Sequence, residues 1–275
     1  MLEIFWRLSY PFEGMIYHTI HLPVVDMKKT PQESGEIVSQ TYFSEHVLIK
    51  KHLKDWVEII TTDGYAGWIP ASSLLNREVP YISKDKVTNI HARLYDKPDA
   101  EESPLILLPY GARLQVVETI DERWFKVLLP DGKQVFVQRG DLAKEPKGLL
   151  TFSKQFLGIP YVWGGRSSFG YDCSGFVQML YQWAGMHLPR DSHMQCADKR
   201  GRKAVLEELG LGDLIFWGTS DGVIKHVGMY LEKDSFIHTS SREGKPFLRI
   251  SQLSDAEWNG NKENRFPTRE YRRFF

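Results

Sequence analysis

Two cysteines, Cys173 and Cys196, are all that 275 residues carry. That is too few for a disulfide framework, and a chain of this length does not need one to hold a core. A single bridge between the two stays open. There is no excess of charge of either sign: 35 Lys and Arg balance 35 Asp and Glu. A polyanion binder ordinarily shows a basic excess, so nucleic acid is not an expected partner. No stretch approaches the ~18–20 apolar residues of a membrane span, and none is predicted. The first residues, MLEIFWRLSYPFEG, carry an early Glu3 and lack a basic head followed by ~7–15 apolar residues. No secretory signal is read there, so a cytoplasmic location is expected, with export by a route lacking that signature as the alternative. His193 and Cys196 form an H-x-x-C without the second pair of ligands that structural zinc requires. No metal and no cofactor are expected.

What is present is a globular composition, 42% hydrophobic and 25% charged, in a length that suits two or three small domains. The first half is strand-like. HVLIKKHL, DWVEIITTDGYAGWIP, ARLQVVETI and RWFKVLLPDGKQVFV are short runs of β-branched and aromatic residues broken by Gly, Asp and Pro. TTDGY and LPDGK each set Asp-Gly between apolar runs, the signal of a tight hairpin. One constant offset carries Trp56-Val57-Glu58-Ile59 onto Trp124-Phe125-Lys126-Val127, Asp63-Gly64 onto Asp131-Gly132, Trp68-Ile69 onto Phe136-Val137 and Leu74 onto Leu142. This reads as two copies of a small β-barrel, over residues 31–79 and 86–145. NREVPYISKDK joins them and AKEPKG leads out of the second. Residues 1–30 match neither copy. The many Trp and Tyr of the barrels are expected mainly in their cores.

After Gly148 the texture changes. LLTFSKQFLG fits a short helix and YVWGGRSSFGYD a glycine-rich loop. CSGFVQMLYQWAG places Phe176, Val177, Leu180 and Ala184 on one helical stripe, with Gly185 as its stop. DSHMQCADKRG suggests a second helix starting at Asp191 or Ser192. DLIFWG, HVGMYLE, SFIHTS and REYRRFF read as strands, and SQLSDAEWNG as a short helix or turn. Residues 148–275 are therefore expected to form an α+β domain with an antiparallel sheet, making the chain multidomain.

Cys173 stands where the glycine-rich loop becomes helix, with Asp172 as candidate N-cap. A helix N-terminus favours thiolate over thiol and can lower a cysteine's pKa by one to several units from ~8.5. Its free N–H groups can also receive an oxyanion. Gly164, Gly165, Gly170 and Gly175 are read as room for a substrate to approach the backbone. A thiol nucleophile needs a base, and of nine histidines His226 and His238 lie on neighbouring strands. One would face Cys173 and the other would orient it.

GIPYVWGGRSSFGYDCSGFVQMLYQWAGMHLPRDSHMQ, followed in order by GDLIFW and KHVGMY, resembles the signature of NlpC/P60 cysteine peptidases. The two β blocks resemble bacterial SH3 (SH3b) domains. The resemblance implies a papain-like catalytic domain over 148–275 behind tandem SH3b barrels. It also implies Cys173 as nucleophile, His226 as base and His238 as its orienting residue, with Tyr161 and Trp163 lining the cleft. The implied reaction is hydrolysis of the γ-D-glutamyl–diamino acid bond in peptidoglycan stem peptides, in murein peptide recycling or remodelling. Tandem-SH3b members tend to require a free N-terminal L-Ala, a group that Asp172 and Ser174 could hold through charge-assisted hydrogen bonds. No barrel residue matches a closing wall for that amine; Tyr81 and Glu58 are the candidates. Peptidoglycan-derived peptides are the expected partners and a monomer the expected state. The alternatives are an inactive binder of cell-wall peptide, or a thiol acyltransferase on the same fold.

Overall fold

The structure, a computed structural model, describes residues 16–275. It divides into two compact units, one ending at Glu145 and one beginning at Pro146.

The first unit holds two antiparallel sheets, of seven and six strands. Its repeat is visible bond by bond. In the first hairpin Trp56–Ile60 pairs with Ala66–Pro70, and in the second Trp124–Leu128 pairs with Gln134–Gln138. At the turns, the N–H of Thr61 donates to Tyr65 O and that of Gly64 to Thr61 O. At the same offset the N–H of Leu129 donates to Lys133 O and that of Gly132 to Leu129 O. Gly64 and Gly132 take φ of 82° and 89°, a conformation that excludes most side chains and explains the Asp-Gly pairs. A 3₁₀ turn follows each hairpin, at Ala71–Ser73 and Arg139–Leu142.

The first core gathers Ile20, Met27, Val47, Val57, Ile59 and Ile69. The second gathers Leu94, Leu108, Leu114, Val127, Val135 and Val137, and takes in Phe43 from the turn after strand Ile37–Tyr42. Tyr81, in the connection, is buried with its hydroxyl donating to Leu128 O at 2.7 Å and accepting from the N–H of Gln115 at 2.9 Å.

The start of the first sheet differs from the expectation of residue 31. Tyr17–Ile20 pairs with both His46–Leu53 and Leu74–Arg77, and Val24–Lys28 pairs with Ile37–Tyr42. The reason is edge closure. Strands Leu74–Arg77 and Ile37–Tyr42 would otherwise lose partners, and Ile20, Val25 and Met27 fill the core. These strands lack the Trp and Asp-Gly marks that reveal the repeat. Residues 1–15 of the unassigned segment lie outside the described residues.

The second unit is built on a six-stranded antiparallel sheet, ordered Arg202–Lys203, Thr268–Arg273, Leu214–Gly218, Ile224–Tyr230, Ser235–Ser240 and Phe247–Gln252, with a small two-stranded sheet, Arg166–Ser167 with Gly170–Tyr171, before the first long helix. Helix Cys173–Trp183 packs across Ile224–Tyr230 and Ser235–Ser240, and helix Ser192–Ala197 packs on Ile224–Tyr230. A third helix, Leu149–Lys154, brings Phe152 against Trp183, their rings stacked at 4.4 Å. Strand Phe247–Gln252 was not expected. It begins in FLRI, unassigned in sequence, and extends into the segment read as helix or turn. Its burial alternates imperfectly and two charged or amide residues interrupt it, but it pairs with Ser235–Ser240 over six residues. Among the described residues no helix is long and apolar enough to cross a membrane.

Candidate active site

The loop before Cys173 is locked by its glycines. A Cβ on Gly165 would lie 2.4 Å from Gly170 O, one on Gly170 2.3 Å from Val162 Cγ2, and one on Gly175 2.2 Å from Gly165 O. These three therefore allow the loop to close on itself and on the helix, rather than leaving room for a substrate. The closure is fastened by hydrogen bonds from the N–H of Asp172 to Gly165 O and from that of Gly165 to Val162 O.

Asp172 caps the helix, its Oδ1 accepting from the N–H of Gly175 at 2.7 Å. The same oxygen accepts from Ser174 Oγ at 3.1 Å and from Arg190 Nη1 at 3.0 Å. Arg190 Nη2 donates to Oδ2 at 2.5 Å, completing a bidentate ion pair, and Nη1 also donates to Ser174 Oγ at 3.0 Å. Arg190, Asp172 and Ser174 are all buried. The expectation for Asp172 and Ser174 was an open carboxylate and hydroxyl facing a substrate ammonium. In the structure the negative charge of Asp172 is already met by Arg190.

Cys173 is half-buried and free, as is the buried Cys196. Its sulfur receives the backbone N–H groups of Val227 and Ser174. Val227 is the neighbour of His226, so this bond ties the helix N-terminus to the histidine strand. Burial pushes the thiol up to about 12; Asp172 adds to the rise, while the two N–H groups and Arg190 oppose it. This differs from the lowering expected at a helix N-terminus. Desolvation and the adjacent carboxylate outweigh the helix field, and the Cys173 thiol is neutral.

His226 Nε2 and His238 Nδ1 lie 2.9 Å apart, and His238 Nε2 lies 3.0 Å from Ser251 Oγ. Gly228 makes room for this pairing: a Cβ there would meet Phe236 at 2.8 Å and His238 Cβ at 3.2 Å. Both imidazoles are walled by aromatic rings. Trp258 lies 4.8 Å from each, centroid to centroid, and Phe236 lies 4.6 Å from His238. Burial first, then the charges of Arg242 and Arg249, lowers His226 to about 3. Burial, His226 and Arg249 hold His238 well below its ordinary value. Both rings are neutral through the whole physiological range.

Tyr161 is half-buried, and burial, with Cys173 and Asp172 next, raises its phenol, which stays protonated. Trp163 is 62% exposed. In the first unit Tyr81 has its hydroxyl satisfied internally and Glu58 pairs with Lys50 at 3.2 Å. His193 is exposed while Cys196 is buried, so the H-x-x-C does not converge. Among the described residues no three His, Cys, Asp or Glu side chains gather into a metal site.

Residues 158–262 match the model of the NlpC/P60 family, and residues 27–74 match that of the bacterial dipeptidyl-peptidase SH3 domain. Two gamma-D-glutamyl-L-lysine dipeptidyl-peptidases are similar over most of the chain. That of Bacillus cereus is 30% identical over 246 residues, 80% of this chain and 72% of the relative. That of Bacillus subtilis is 30% identical over 240 residues, 80% of this chain and 77% of the relative. The chain belongs to the NlpC/P60 family of cysteine peptidases. The crystal structure of an NlpC/P60 family protein from Bacillus cereus shares the fold, with a TM-score of 0.78 at 24% identity over 94% of this chain and 99% of that one.

Three residues in the NlpC/P60 unit escaped the sequence. Arg190 lay inside a quoted motif without a role. Ser251 and Trp258 lay in the segment read as helix or turn. Only a register of strands places Ser251 beside His238, and nothing local signals that.

The buried histidines make stability depend on pH. In the unfolded chain each titrates near ~6.5; in the fold both stay neutral well below that. The unfolded state thus binds more protons as the pH falls, so the stabilisation is complete above about 6.5 and is lost as the pH falls, for His226 down to about 3, by up to ~1.4 kcal/mol per pH unit for each histidine. Urea midpoints between pH 7 and pH 4 are expected to fall more steeply for the wild type than for His226→Gln. Equal slopes would show that His226 carries no such linkage.

Proposed function

We propose that this NlpC/P60 peptidase hydrolyses the γ-D-glutamyl–diamino acid bond of peptidoglycan stem peptides, with Cys173 as nucleophile, His226 as base and His238 as its orienting residue. The observation that carries the reading is the junction of Cys173 with the histidine strand: a thiol that receives the N–H of Val227, the next residue after His226, whose imidazole Nε2 is engaged by His238. That engagement leaves Nδ1 of His226 for the thiol proton. The names of the two Bacillus relatives supply the bond and favour L-lysine as the diamino acid.

The thiol proton passes to His226 Nδ1 as sulfur attacks the carbonyl carbon, because a thiol held near 12 carries little thiolate beforehand. Backbone N–H groups at the start of helix Cys173–Trp183 and the protonated Tyr161 phenol are the donors for the oxyanion. The imidazolium returns the proton to the departing amine, leaving a thioester. Water, deprotonated by His226, then cleaves the thioester and restores the thiol. Trp163 offers an apolar face for the peptide. Asp172 and Ser174 hold the helix start, and an ammonium reaching them would share the carboxylate with Arg190. The Trp124–Gln138 hairpin and its sheet are read as a second SH3b copy, on the strength of the repeated turn bonds.

The test is mass spectrometry of products from L-Ala-γ-D-Glu-L-Lys and the same peptide acylated at L-Ala. Cleavage between D-Glu and L-Lys in the free form alone supports the bond, the free-amine requirement and a recycling role. Equal cleavage of both removes the amine requirement and favours wall remodelling. An intact γ-glutamyl bond in both peptides overturns the reading.

A further inference from the structure

The hydrogen-bond chain does not end at the second histidine. His238 has its outer nitrogen 3.0 Å from the hydroxyl of Ser251, on a strand absent from the sequence reading. His238 is fully buried and Ser251 nearly so, which places this contact out of reach of bulk water.

Tautomers decide what such a chain can do. For His226 to take the thiol proton on Nδ1, that nitrogen must be bare, so its proton sits on Nε2 and is donated to His238 Nδ1. His238 then carries its own proton on Nε2 and needs an acceptor there. Ser251 Oγ is the acceptor within reach. The opposite arrangement has Ser251 donating to a bare His238 Nε2, His238 donating from Nδ1 to His226, and His226 protonated on Nδ1. It turns an N–H toward the thiol and blocks the transfer.

We propose that Ser251 is a positioning residue for this peptidase, accepting the Nε2–H of His238 and so holding both histidines in the base-competent tautomers. The inference rests on the reading of Cys173 and His226 given above. Once His226 becomes an imidazolium, the same acceptor supports the positive charge through His238, since each hydrogen bond polarises the next. The residue touches neither substrate nor sulfur, so its effect falls on turnover and not on binding.

The test combines kinetics with the nitrogen spectrum of the imidazoles. Ser251→Ala is expected to lower kcat by about 10–100-fold, the size of effect known for losing the outer hydrogen-bond partner of a metal-ligating histidine, with KM nearly unchanged. Ser251→Thr, which keeps the hydroxyl, is expected to return most of the loss. In ¹⁵N-histidine-labelled wild-type protein, His238 is expected to carry its proton on Nε2, and in Ser251→Ala that population is expected to shift toward Nδ1. Full kcat in Ser251→Ala overturns the proposal, as does equal damage in the Ala and Thr variants or a wild-type His238 protonated on Nδ1. The spectrum requires no substrate. If the wild type leaves the γ-glutamyl peptide intact, the substrate reading fails alone and the tautomers still decide the role of Ser251.

Discussion

Cys173→Ala is expected to lower kcat by about a millionfold, the scale seen when a covalent nucleophile is removed from a peptidase, with no other change in the protein. The expectation follows from how little the thiol does for the fold. Cys173 is half-buried, and its sulfur receives the backbone N–H groups of Val227, in the middle of strand Ile224–Tyr230, and of Ser174, in the first turn of the helix. The cap of Asp172 on Gly175 and the ion pair with Arg190 do not involve it. Urea midpoints within about 1 kcal/mol of the wild type, together with loss of peptide cleavage, would separate chemistry from folding. Substantial turnover by the variant would remove Cys173 from the mechanism. Cys173→Ser is expected to be nearly as inactive. The site raises even a thiol to about 12, and an alcohol begins far higher.

The second large effect lies 17 residues further along, at Arg190. Arg190→Met is expected to destabilise the second unit by about 3–5 kcal/mol, the range for breaking one side of a buried ion pair. The Asp172 carboxylate would remain buried with only the N–H of Gly175 and the hydroxyl of Ser174 to satisfy it. It would also stand next to Cys173 without its counter-charge, pushing the thiol up further. Asp172→Asn in the same chain keeps a capping oxygen and removes the orphan charge, so the double variant is expected to recover part of the loss. Chemical denaturation of the single and double variants measures this. A double variant no more stable than Arg190→Met would show that charge compensation is not what Arg190 provides.

Local pattern made some of this legible and geometry hid the rest. The helix from Cys173 was readable because its cap, apolar stripe and stop all lie within one short segment, Asp172 to Gly185; Gly185 takes φ of 86°. The repeat was readable because Trp and Asp-Gly recur at one spacing. The pKa of Cys173 was misjudged because a sequence displays the helix end but not the depth of burial around it, and depth prevailed. Asp172 looked available because its partner Arg190 belongs to a separate segment. Ser251 and Trp258 were invisible for a similar reason. Ser251 meets His238 through a strand pairing that no local periodicity announced, and Trp258 reaches both histidines from a turn beyond that strand. Strands Tyr17–Ile20 and Val24–Lys28 failed to show because they close an edge and do not repeat a motif.

The interlocking of Gly165, Gly170 and Gly175 bears on how variation in this protein should be read. A population screened only for activity would purge side chains at these three positions as strictly as at Cys173. Yet the space they guard belongs to carbonyl oxygens and a valine methyl of the same chain, not to a ligand. Intolerance there would measure the tolerance of a closure, and a map of mutational sensitivity taken as a footprint of the substrate would draw that footprint too large.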